Sequence, residues 1–265
     1  MSAWEAAPGE PSTRGQTEIM LDTGIPRPAG ARAFTTRRRV RLSDMDTAGR
    51  LRLDAVARFL QDAAIDDVQE TGWGTPEHLW VVRRIQLDVI SPPLRDREVE
   101  IVTWCSGVAA IAAGRRWSVV GDAGGRVEID STWIHLDSGQ RPARIGDFGP
   151  YGLAAGGRTV STKLTLPDPP GGAERLPWAL RSTDLDTHGH VNNAVYWQAV
   201  EDRFAWEGPR LALPHRALLD YRDPIDLGDD VELAGFSDGD DRHCLGFVVG
   251  ERVKAVASCE PLGGG

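Results

Sequence analysis

The sequence predicts an α+β protein built from one helix-and-sheet unit present twice, and two internal matches carry the duplication. SDMDTAG at residues 43–49 aligns with TDLDTHG at 183–189, pairing Asp44 with Asp184, Asp46 with Asp186, Thr47 with Thr187 and Gly49 with Gly189. Further on, LDVISPPLRDREVEI from Leu87 aligns with LDYRDPIDLGDDVEL from Leu219. The matches occur in the same order, at offsets of 140 and 132 residues, which is the pattern of a repeated domain. A third observation is that each half runs through the same periods, first 3.6 and then 2, so that a helix precedes a run of antiparallel strands.

Residues 1–33 are rich in Gly, Pro, Ala and Thr without apolar periodicity and predict a flexible tail. The first unit is expected over 34–140. After its DxDTxG turn, Val56, Phe59, Leu60, Ala63 and Ala64 fall at i, i+3, i+4, i+7 and i+8, the stripe of an amphipathic helix over 55–68. Alternation at Ile85, Leu87 and Val89, at Val99 and Ile101, at Trp117 and Val119, and from Val127 through Ile129 and Ser131 to Trp133 then predicts strands. The stretch 141–178, interrupted by GDFGPYGLAAGG and LPDPPGGAE, reads as a partly ordered linker. In the second unit, 179–265, Tyr196, Ala199, Val200 and Phe204 keep the helical spacing. Val231 and Leu233, residues 245–249, and Val253, Ala255 and Ala257 follow as strands.

Composition narrows the functional classes. With 265 residues, 41% hydrophobic and 26% charged, the chain is that of an ordinary globular protein, which excludes collagen, coiled coil and wholesale disorder. No apolar run reaches the ~18 residues of a membrane span. The first residues carry acidic side chains and no apolar leader core, so a cytoplasmic location is expected. Cys105, Cys244 and Cys259 lie far apart without a CxxC, and read as buried structural thiols. A net charge of -9, with no basic tract beyond Arg37, Arg38 and Arg39, argues against nucleic-acid binding.

The densest cluster of reactive side chains is DLDTHGHVNNAVYW from Asp184, just ahead of the second helix. Asp186, His188 and His190 stand at alternate positions, so in an extended segment they project to one side. A helix N-terminus beside them offers unpaired N–H groups and about half a positive charge, suited to a developing oxyanion. The duplicate serves as an internal control: Ala48 and Arg50 stand where the second half has His188 and His190, while Asp46, Thr47 and Gly49 persist. The shared residues are therefore read as turn architecture and the histidines as the functional addition. The same DxHxH spacing leaves a zinc or iron site open as a different class of answer.

DLDTHGHVNNAVYW resembles the DLDxNxHVNNxxY signature of acyl-ACP thioesterases. The first half is similar to that family over LQDAAIDDVQETGWG, TPEHLWVVRRIQLDV, EVEIVTW, GRRWSVV and STWIHLD, so the resemblance spans roughly residues 34–260. It implies a double (tandem) hotdog, each module an antiparallel sheet wrapped around a long central helix, and hydrolysis of a fatty acyl thioester on acyl carrier protein or coenzyme A. By position, Asp186 and His190 match the family's catalytic aspartate and histidine, and His188 replaces its asparagine. In the stretch resembling LEYRREC, Pro224 and Ile225 stand where the family has glutamate and cysteine, which leaves Asp220 or Asp223 as the expected additional carboxylate.

The expected mechanism is a water activated by Asp186 with His190, through His188, attacking a carbonyl whose oxygen is held by the backbone of Val191, Asn192 and Asn193. Asn192 and Asn193 read equally as caps of the following helix. The resemblance implies an acyl-chain pocket in the first hotdog and chemistry in the second, with no cofactor and no metal. Arg37, Arg38, Arg39, Arg41, Arg83 and Arg84 are the expected contact for an acidic carrier. The chain is expected as a monomer or homodimer. Two further readings of a hotdog stay open, a hydroxyacyl-thioester dehydratase or hydratase and a non-catalytic acyl-binding module.

Overall fold

The computed structural model describes residues 27, 29–73, 79–94, 97–206, 213–239 and 241–262. Most of the predicted tail lies outside them. Near its end, Arg32 reaches Asp67 at 2.8 Å and Glu70 at 3.0 Å, so this part of the stretch is held against the first helix. Among the described residues no helix is long and apolar enough to cross a membrane.

The first half contains β1 (Phe34–Arg39), α1 (Leu53–Thr71), β2 (Leu79–Ser91), β3 (Glu98–Val108), β4 (Ala112–Gly121) and β5 (Arg126–Leu136). A short α2 (Gly149–Ala155) precedes the second half, which has β6 (Arg175–Pro177), α3 (Asn193–Trp206), β7 (His215–Tyr221), β8 (Val231–Ser237), β9 (His243–Val249) and β10 (Arg252–Pro261). The ten strands of the described residues form one antiparallel sheet in the order β1-β3-β4-β5-β2-β7-β10-β9-β8-β6. Read outward from the β2–β7 junction, the two halves have the same strand order, which is the duplication expressed as topology.

Both helices are built to cover this sheet. Val56, Leu60 and Ala63 of α1 and Trp197, Val200 and Phe204 of α3 are buried in a single apolar cluster with Leu87, Ile101, Trp117 and Ile129 of the first half and Leu219, Leu245 and Phe247 of the second. Helix α1 spans five residues more than its apolar stripe, because the predicted bounds mark only the buried face; it stops at Gly72, whose φ of +61° ends the helix in the left-handed region.

The junction repeats a short motif. Arg84-Ile-Gln-Leu-Asp88 on β2 and Arg216-Ala-Leu-Leu-Asp220 on β7 pair antiparallel, so each arginine stands opposite the other strand's aspartate. Arg84 Nε meets Asp220 Oδ1 at 2.6 Å and Arg216 Nε meets Asp88 Oδ1 at 2.7 Å, each pair closed by a second hydrogen bond. Strand β7 escapes prediction by alternation because it lies mid-sheet and is buried on both faces over most of its length.

The stretch 141–178 is packed rather than free. Phe148 and Tyr151 meet Trp73 edge to face, with ring centroids 5.1 and 5.7 Å away. Leu166 packs with Leu218 and Val256 on the sheet, and β6 pairs with β8. Aromatic and aliphatic side chains among the glycines and prolines supply the apolar area that holds it there.

Candidate active site

The two DxDTxG turns fold alike. In each, a 3-10 turn ends on a buried aspartate, Asp44 or Asp184, that accepts a backbone N–H from Arg41 or Arg181. Asp46 Oδ1 accepts the amides of Ala48 and Arg50 at 2.8 and 2.9 Å, and Asp186 Oδ1 accepts those of His188 and His190 at 2.8 and 3.3 Å. Gly49 and Gly189 close the turns at φ of +81° and +84°, a conformation that strains a residue with a Cβ.

The halves then diverge. In the first, Arg50 Nε donates to Asp46 Oδ2 at 2.8 Å. Burial works against the Asp46 charge, but the backbone and guanidinium hydrogen bonds of Arg50 hold its carboxyl below the usual range. In the second, His190 turns away to a different partner, and Asp186 Oδ2 receives no hydrogen bond from the described residues.

That partner is Asp226. A β-bridge joins His190 to Asp226, and the Val191 amide bonds Ile225 O at 2.8 Å, so the loop after β7 runs beside the turn. His190 Nδ1 stands 2.6 Å from Asp226 Oδ1. Both side chains are accessible, at 38% and 59%. Asp226 was not among the expected carboxylates, yet the internal comparison contains its signal: the first half's matching bridge joins Arg50 to Leu94, and both of its members differ together in the second half.

The two aspartates expected instead stand elsewhere. Asp220 is fully buried on the β2–β7 junction, where its carboxylate accepts four hydrogen bonds, two from Arg84 and one each from the Thr165 and Leu166 amides. It fastens the inter-half stretch to the sheet and has no capacity left for chemistry. Asp223 lies 3.8 Å from Arg252.

The expected oxyanion donors are also partly spoken for. The amides of Val191 and Asn192 bond Ile225 O and Asp184 O, both at 2.8 Å. Asn192 caps α3, its Oδ1 accepting the Ala194 amide at 2.9 Å and Gln61 Nε2 of α1 at 3.2 Å. The Asn193 amide and Asn192 Nδ2 carry no acceptor among the described residues. His188 is exposed on the turn and contributes its backbone amide to Asp186. Tyr196, one turn into α3, is kept a neutral phenol by burial, reinforced by the charges of Asp226, Asp229 and Asp186.

The cysteines take no part: Cys105, Cys244 and Cys259 are buried, and burial pushes the thiols of Cys244 and Cys259 up to about 12. Among the described residues, no three His, Cys, Asp or Glu side chains are arranged to hold a metal ion.

Most of the expected carrier-binding arginines are engaged within the molecule. Arg83 donates to the carbonyls of Tyr221 and Arg222, and Arg84 belongs to the β2–β7 junction, because both sit on a central strand. Arg37 pairs with Glu98 and Glu100, and Arg38 with Asp66. Arg39 and Arg41 remain exposed and, with Arg97, border an open cleft of about 800 Å³.

Comparison with known proteins agrees with this architecture. The acyl-ACP thioesterase N-terminal domain family matches residues 31–147, and the acyl-ACP thioesterase C-terminal domain family matches residues 169–253. An uncharacterised protein of Mycobacterium tuberculosis is 30% identical over 236 residues, covering 88% of this chain and 94% of the relative. The fold is similar to an acyl-ACP thioesterase of Bacteroides thetaiotaomicron, with a TM-score of 0.71 at 17% identity, covering 86% of this chain and 97% of that one. It is likewise similar to the 12:0-ACP thioesterase of Umbellularia californica, with a TM-score of 0.68 at 19% identity, covering 86% of this chain and 96% of that one. A double hotdog whose two halves both match thioesterase domains defines a thioester hydrolase. The chain belongs to the acyl-ACP thioesterase family.

Proposed function

We propose that this protein releases fatty acids from acyl carrier protein through a water activated by His190, with Asp226 and Asp186 as its two carboxylate partners. The observation behind this reading is the 2.6 Å His190–Asp226 contact beside an open Asp186 oxygen, an arrangement that the first half lacks. Asp226 accepts the Nδ1 proton, so Nε2 is the base. The attacking water gives one proton to Nε2 while Asp186 Oδ2 accepts its other hydrogen in a hydrogen bond.

The carbonyl oxygen becomes an oxyanion facing the free Asn193 amide and Asn192 Nδ2, where the α3 N-terminus adds its positive end. As the tetrahedral intermediate collapses, the C–S bond breaks and the protonated Nε2 donates to the departing sulfur. His188 has no anchoring contact and is assigned an auxiliary role in orienting the water. The acyl chain is assigned to the first hotdog, and Arg39 and Arg41 meet the acidic carrier.

Release of free thiol from acyl-ACP and acyl-CoA tests this reading. Asp186→Asn and His190→Ala are expected to lose about 10²- to 10⁴-fold in rate, the span of a positioned acid or base, and His188→Ala less than about tenfold. Near-normal turnover in His190→Ala would sink the assignment.

A further inference from the structure

We infer that Gln61, on the helix of the first half, is a positioning residue for hydrolysis in the second: it holds the Asn192 amide so that the α3 N-terminus stays open to the oxyanion. The inference rests on the His190 site as read above. Gln61 Nε2 lies 3.2 Å from Asn192 Oδ1, a contact between residues 131 apart in sequence. The Ala194 amide, which can only donate, meets the same oxygen at 2.9 Å and so fixes which end of the Asn192 amide is which. Asn192 Oδ1 thus accepts two hydrogen bonds, the plane of the amide is set, and Nδ2 is left without an acceptor beside the free Asn193 amide.

The duplicate shows what the alternative looks like. At the same offset of 140 that aligns the two turns, Gln61 corresponds to Glu201 on α3. Glu201 of α3 lies near the start of α1, where the backbone amides of Leu53 and Asp54 favour its charged form. That helix N-terminus therefore has a carboxyl group beside it, in the half whose Asp46 is tied to Arg50. A carboxylate at position 61 would take up the amides offered to the oxyanion and repel its charge, whereas glutamine has the same shape, no charge and two donor hydrogens. At the same offset Arg52, Asp54 and Arg58, which form an ion-paired cluster in the first half, are replaced by Asn192, Ala194 and Gln198, so the helix start beside His190 is the neutral one.

The experiment is a kcat and KM comparison at pH 8 on one acyl-ACP, with wild type, Gln61→Ala, Gln61→Glu, Glu201→Gln and His190→Ala. The expected order is wild type, then Ala about tenfold lower in kcat, then Glu about 10²- to 10³-fold lower, the cost of losing an oxyanion donor, with KM within about threefold throughout. Glu201→Gln is expected within about twofold of wild type. A residue that merely packs would make the isosteric glutamate the milder change. The inference is overturned if Glu equals or exceeds Ala, if both stay within about twofold of wild type, or if the loss lies wholly in KM. Should Gln61→Glu fail to fold, Gln61→Leu, similar in size and without a donor, decides by the same kcat criterion. Thiol release unaffected by His190→Ala would fall on the site reading itself; release lost there but kept in the Gln61 variants overturns the role of Gln61 alone.

Discussion

Asp220 accepts four hydrogen bonds on a buried junction, whereas Asp226, on the loop that follows, offers a single accessible oxygen to a histidine. The contrast predicts separable phenotypes. Asp226→Asn is expected to lower kcat about 10²- to 10⁴-fold with little change in the urea midpoint, because it removes the group that sets the tautomer of His190. Asp220→Asn leaves Arg84 with a neutral partner, and breaking a buried pair costs about 3–5 kcal/mol, so its urea midpoint drops while folded enzyme keeps near-wild-type kcat. Thiol release and urea unfolding on both variants check the assignment. Sequence reading singled out Asp186 and His190 because they stand within one motif. The carboxylate that meets His190 is Asp226 rather than Asp220 or Asp223, and that pairing depends on a bridge between segments 36 residues apart, which no local pattern displays.

At the scale of elements, the N-termini of the two long helices have different neighbours. The start of α1 has Glu201 beside it, and burial raises that carboxyl from its ordinary 4.5 to about 7 despite the backbone amides of Leu53 and Asp54 that favour its charge. A raised carboxyl binds its proton more tightly folded than unfolded. Its contribution is therefore fully present below about pH 4.5 and is lost as pH rises towards 7. Urea titrations between pH 5 and pH 8 should show Glu201→Gln gaining on wild type as pH increases; a constant difference would contradict the burial argument. The helices themselves were legible from their 3.6 period. Strand β7 was not, since a strand covered on both faces has no polar alternation to display.

For the whole molecule, duplication supplies within one chain the pairing of two hotdogs, joined by the reciprocal Arg84–Asp220 and Arg216–Asp88 pairs. The junction also engages Arg83 and Arg84; of the exposed arginines of the expected patch, Arg37 is paired with Glu98 and Glu100, while Arg39 and Arg41 have no ion pair among the described residues. Reversing both, Arg39→Glu with Arg41→Glu, is expected to raise KM for acyl-ACP several-fold at low salt, to lose that effect as salt screens it, and to leave acyl-CoA turnover unchanged. Equal effects on the two substrates would dismiss the patch. By itself the sequence determined the duplicated α+β plan, the two turns and the Asp186–His190 motif, because these reside in local periodicity and in short contiguous matches. Only the tertiary structure decided which carboxylate joins His190, which amides remain free, and that Gln61 reaches across from the other half. Those are contacts between distant segments, set by sheet register and helix packing, and no local pattern encodes them.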